Sequence, residues 1–290
     1  MAANHQDTLR YEFVASPDSS TSTSLSHVGT YKRTVPVNLD RMYENALDWE
    51  HLPYLHESSF GAIKVLASGA WGWRAEVTGL DGSLSVLELS LDRSCRRWIT
   101  RNLEGPNQGA EIWTHVFVSG EQSLDLVIDF FVPGVPLEAR NKVGAAYAAA
   151  YERLYDEDVS MMTHRQQQID LRLDAVDESA SVTLEVTQET PLPVSFELSG
   201  RAYLLHWHDD RWLTYPANCP HQMGPLSHEI DADGTVRCPW HGYRFDVQSG
   251  ACVTGAACRF GRVPEVVSVQ DKADDKSQGA RVAVTLGFSS

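Results

Sequence analysis

Nowhere among the 290 residues does an apolar run approach the roughly 20 that a membrane-spanning helix needs. The amino terminus lacks the charged-then-apolar pattern of an export signal; it is polar and leads into Ser19-Ser20-Thr21-Ser22-Thr23-Ser24. Basic residues are scarce, 24 against 39 acidic ones for a net charge of −15. Nothing of that sign neutralises a phosphate backbone, which excludes a nucleic-acid partner. Cysteine is scarce too: five in all, too few and too unevenly spaced for a disulfide framework. These absences set the expectation of a cytoplasmic protein with no membrane segment. Residues 1–28 are expected to be a flexible arm, and the rest of the chain is long enough for two domains with their own cores.

Two of the five cysteines stand in Cys219-Pro220-His221 and Cys238-Pro239-Trp240-His241. Each short loop offers one sulfur and one nitrogen ligand in the pattern C-x-H-x16-C-x2-H. A two-iron, two-sulfide centre needs this set when one iron takes two cysteines and the other two histidines. A structural zinc site uses the same residue types but usually pairs them as C-x2-4-C and H-x3-5-H. Gly224, Pro239 and Gly242 flank the loops and suit close backbone approach. Cys95, Cys252 and Cys258 are left over and are expected to be buried free thiols.

The two loops resemble a Rieske [2Fe–2S] domain, which implies Cys219 and Cys238 on one iron and His221 and His241 on the other. Respiratory members carry an extra cysteine in each loop and a serine after the second glycine. Here those positions are Gly224, Trp240 and Tyr243. Fewer hydrogen bonds to sulfur imply a low potential, toward the roughly −150 mV end of the range, as in oxygenases and their ferredoxins.

The first half carries a second set of ligand types. Thr30–Val37 alternates like a strand, and Asn38 can cap a helix that runs to about His51 and is stopped by Pro53. Met42, Ala46 and Trp49 make its apolar stripe; Glu44, Asp48 and His51 share another face. The stretch Asp48-Trp49-Glu50-His51-Leu52-Pro53-Tyr54-Leu55-His56 resembles the D-x2-H-x4-H motif of Rieske non-haem iron oxygenases. That resemblance implies His51 and His56 as Fe(II) ligands and Asp48 as the bridge between a cluster histidine and an iron histidine. A carboxylate should complete a two-histidine, one-carboxylate triad.

Strands are predicted over Ala75–Leu80, Leu84–Leu91, Arg96–Leu103, Glu111–Val118 and Ser123–Phe131. Pro136 then opens a long helix to about Asp170. Asp158 falls on the stripe of Tyr147, Tyr151, Leu154 and Met161 or Met162, where a carboxylate is costly unless it is paired or metal-bound. It is the chosen third ligand, with Asp156 in reserve and Glu157 pointing elsewhere. Trp71, Trp73, Trp98, Trp113, Phe117 and Phe130 are candidates for cavity or core. Arg93, Arg96, Arg97 and Arg101 read as a solvated strand face, the alternative being a contact with an electron donor or an anionic substrate. His115, His164, His206, His208 and His228 lack ligand spacing.

The resemblance implies an α+β catalytic domain at 29–174, START-like, with an antiparallel sheet gripping a long C-terminal helix. An all-β Rieske [2Fe–2S] domain follows at 182–290, beyond a linker near Ala175–Ser181. This order is the reverse of the usual one. The implied activity is that of a terminal oxygenase, which hydroxylates or oxidatively demethylates a small apolar or aromatic substrate with O2. Electrons would come from a reductase or ferredoxin fed by NAD(P)H. The family's ring assembly, in which one chain's cluster serves its neighbour's iron, implies a homo-oligomer such as a trimer; the reversed order leaves open a contact within one chain. The competing expectations are an electron carrier or ligand-binding protein without O2 chemistry, or a different oxidation such as desaturation.

Overall fold

The computed structural model describes residues 24–171, 175–187, 189–272 and 281–288. The expected N-terminal arm lies outside the described residues up to residue 23. Its last residues are not an arm, because β1 (Leu25–Val35) begins at Leu25 and pairs with β7 (Ser123–Pro133) along its length.

After β1, the Asn38 side chain accepts a hydrogen bond from the Arg41 backbone N–H and caps α1 (Leu39–Leu47). The helix does not continue to His51. Asp48 leaves it with ψ 84°, Trp49–His51 form a 3-10 turn, and α2 (Leu52–Leu55) follows. Pro53 sits in the first turn of α2 rather than ending a helix, a place where its missing N–H costs nothing.

β2 (Ala62–Gly69), β3 (Gly72–Thr78), β4 (Leu84–Asp92), β5 (Arg97–Glu104) and β6 (Glu111–Gly120) complete, with β1 and β7, one antiparallel sheet of order β1-β7-β6-β5-β4-β3-β2. β2 was not foreseen: as an edge strand with mostly exposed side chains, it has little alternation to read. α3 (Arg140–Asp170) closes the sheet's concave face, packing on β1. Trp73, Trp98 and Phe130 join the core between sheet and helix. Phe117 is instead exposed on the outer face. Trp113 lies under the Arg97 guanidinium, and Arg101 pairs with Glu111 at 3.1 Å, so these two arginines belong to a solvated sheet face.

The second half is all-β. β9 (Val194–Leu198), β10 (Arg201–His208) and β11 (Arg211–Pro216) form one sheet, and β12 (Thr235–Arg237) with β13 (Arg244–Asp246) a hairpin that carries the second ligand loop. β14 (Glu265–Lys272), β15 (Arg281–Gly287) and β8 (Ser181–Thr187) form a third sheet. The fold is therefore a START-like helix-grip domain followed by an all-β domain. Of the leftover thiols, Cys95 is exposed in the turn between β4 and β5, and Cys252 and Cys258 are only partly covered. No helix among the described residues is long and apolar enough to cross a membrane.

Candidate metal centres

The helix break at Asp48 lets His51 and His56 turn inward together. His51 ends the 3-10 turn and His56 directly follows α2, which puts their rings 5.1 Å apart. From across the core α3 presents Asp158. All three are buried, and one ligand atom from each lies within 4.8 Å of the others. Asp158 Oδ1 is 3.1 Å from His56 Nε2 and 3.5 Å from His51 Nε2. Asp156, the reserve, instead pairs with Arg33 at 2.6 Å on the surface.

Glu157 does not point elsewhere. Its Oε2 accepts the His56 Nδ1–H at 2.6 Å, and Nε2 on the other side of the ring faces Asp158 Oδ1 at 3.1 Å. Asn45 Nδ2 donates to Asp158 Oδ1 at 2.8 Å. Neither was foreseen. Glu157 looked like one more charge on a helix face, and only the return of the chain at His56 gives it a partner.

Asp48 faces the second half of the same chain. Its Oδ2 accepts the His241 Nε2–H at 2.8 Å and a bond from Gln222 Nε2 at 3.1 Å, and lies 3.7 Å from His51 Nδ1. Gln222, beside His221, is another residue that sequence spacing missed. Burial alone would push the Asp48 carboxyl up, but His241 and His51 hold it well below the ordinary carboxylate range. Burial likewise opposes a charge on His51, yet Asp158 and Asp48 lift its pKa to about 9.

In the second half, Cys219 and Cys238 are buried in two tight loops. Cys219 N–H donates to Gly224 O at 2.7 Å, and Cys238 N–H to Tyr243 O at 2.8 Å. A Cβ on Gly224 would lie 2.6 Å from the Trp240 ring, and one on Gly242, where φ is +66°, 2.3 Å from Tyr54 of α2. The His221 and His241 rings are 4.7 Å apart, and the Nδ1 of each is buried without a hydrogen-bond partner. The two thiols are close enough to share a proton: contact with Cys219 pulls Cys238 down, and the same contact pushes Cys219 up. Two adjoining sulfurs and two orphaned imidazole nitrogens are the donor set that a [2Fe–2S] cluster takes.

Comparison with known proteins agrees with that donor set: residues 176–265 match the Rieske [2Fe-2S] domain family. This part of the chain is a Rieske domain. The chain is also 36% identical over 75 residues to pheophorbide a oxygenase, chloroplastic, of Oryza sativa subsp. japonica. That match spans 24% of this chain and 14% of the rice protein. Among solved structures, norcoclaurine synthase from Thalictrum flavum is 16% identical, covering 49% of this chain and 88% of that one with a TM-score of 0.39. A START superfamily protein from Mycobacterium smegmatis is 15% identical, covering 50% and 97% with a TM-score of 0.36.

The Rieske domain meets the helix-grip domain at several further points. Tyr243, packed on His221 and His241, donates its hydroxyl to Glu50. His164 of α3 lies 3.0 Å from Met223 O and edge-on to Trp240. That histidine has a packing role at the seam between the two halves.

Proposed function

We propose that this chain is the terminal oxygenase of a Rieske non-haem iron system, with the mononuclear iron in the helix-grip domain and the cluster in the Rieske domain that follows it. The observation that carries the reading is Asp48 Oδ2, 2.8 Å from His241 Nε2 and 3.7 Å from His51 Nδ1. One carboxylate thus hydrogen-bonds an imidazole of one donor set and lies 3.7 Å from a buried, unpartnered imidazole nitrogen of the other, within a single chain. Cys219, Cys238, His221 and His241 would hold the cluster, and His51, His56 and Asp158 the Fe(II). When bound, these groups supply single-electron transfer and O2 activation. The electrons would come from NAD(P)H by way of a reductase or ferredoxin.

The protein's own contribution is orientation and exclusion. Asp48 accepts the His241 Nε2 proton, which fixes the tautomer and leaves Nδ1 as the cluster-facing donor. Glu157 does the same for His56, and Asn45 anchors the Asp158 carboxylate. Trp73, Leu87, Leu89 and Trp98 wall the cavity beside the triad and keep it apolar. The outcome is hydroxylation or oxidative demethylation of a small molecule. Pheophorbide a, named for the rice relative, is not carried over, because the match covers only 24% of this chain and 14% of that protein.

Asp48→Asn tests the reading. We expect both donor sets to load iron normally and O2-dependent reoxidation of the reduced cluster to fall by roughly 100-fold. Near-normal reoxidation in that variant would remove Asp48 from the path.

A further inference from the structure

Three hydroxyl-bearing residues that the mechanism above does not use line the cavity beside the triad, Thr100, Tyr151 and Tyr155, and the Tyr155 hydroxyl is engaged by Thr114. Tyr151 stands on α3 seven residues before Asp158, two helical turns along the same face. Its ring is fixed by Phe130 and Tyr155, with centroids 5.2 and 6.2 Å away. Thr100 lines the opposite wall from β5. Among the described residues neither the Tyr151 nor the Thr100 hydroxyl meets a hydrogen-bond partner. Burial pushes the Tyr151 phenol well above its usual range, so it stays protonated and available as a donor. The other walls are mainly apolar: Ala46, Leu52, Phe60, Trp73, Leu89 and Trp98 among them.

Charge and size narrow the occupant further. No lysine or arginine lines the cavity, and its acidic groups are Asp48 and Asp158. An anionic substrate would be desolvated without a basic side chain to pair with it. The volume of about 120 Å³ is below the roughly 150 Å³ of an apolar cavity that accepts benzene. The cavity is open at one side, and a single ring with a small substituent fits with its far end at that opening.

Resting on the oxygenase reading, the geometry points to an uncharged, one-ring-sized substrate with an acceptor oxygen, held by a hydrogen bond from Tyr151 with Thr100 as second polar contact. Tyr151 is then the residue that decides which end of the substrate faces the triad.

The test is anaerobic calorimetry on iron-reconstituted protein, with acetophenone and its near-isostere α-methylstyrene, which lacks the acceptor, and benzoate as the charged control. We expect acetophenone to bind about 3- to 10-fold tighter than α-methylstyrene, and benzoate not at all. Tyr151→Phe should bring the ratio close to one by weakening acetophenone alone; unchanged α-methylstyrene binding shows that the variant's cavity is intact. Thr100→Val should lower the ratio by a smaller factor. An unchanged ratio in Tyr151→Phe, binding of benzoate, or failure of both neutral probes to bind the unmutated protein would overturn the assignment. Failure of the oxygenase reading has a separate signature, the absence of mononuclear iron from the reconstituted chain.

Discussion

Asp48 keeps its charge in a buried position because an imidazole faces it from each half of the chain, and a buried carboxylate without them would be costly. The same logic applies one layer out. Glu157 fixes the proton of His56 on Nδ1, so Glu157→Gln should lower Fe(II) affinity at the triad by about 10-fold and leave the cluster intact. Iron titration followed by cluster absorbance checks both parts, and unchanged affinity would assign Glu157 to the surface. The donor residues that come together in the structure stood out in the sequence because metal chemistry constrains type and spacing together. Asn45, Glu157 and Gln222 were not, since a side chain that only orients another carries no spacing of its own. Asp158 lay between: its place on an apolar stripe marked it, while its neighbours on the helix competed.

The elements that position these residues were mostly readable from alternation and from the long helix after Pro136. The break at Asp48 was not. A helical stripe through Met42, Ala46 and Trp49 continued past the point where Asp48 turns toward His241, and that contact is 193 residues away in sequence. Tertiary pairing outweighed local periodicity there. α3 is held to the sheet by a close backbone approach: a Cβ on Gly144 would lie 2.1 Å from Val28 O. Alanine gains about 1 kcal/mol in helix propensity, but overpacking against backbone costs about 1–3 kcal/mol. Gly144→Ala should therefore destabilise the domain and, by displacing the helix that carries Asp158, weaken iron binding. Chemical denaturation and iron affinity measured on one preparation check this; a stabilised variant would show that the helix can shift freely.

For the whole molecule, the reversed order of domains has a geometric consequence. His241 and His51 face one carboxylate, Asp48, at 2.8 and 3.7 Å within the same chain, so the proposed path would need no neighbour. Co-expressing a Cys219→Ser chain with a His51→Ala chain should then restore no cluster reoxidation by O2 beyond the sum of the two alone. Recovery would mean that the working contact is made between chains. Beneath this lies the claim that one chain holds two iron centres, and it is tested most directly by iron and acid-labile sulfide per chain after anaerobic reconstitution with Fe(II). About three iron and two sulfide are expected. About two of each would leave the cluster in place and contradict a mononuclear site at His51, His56 and Asp158.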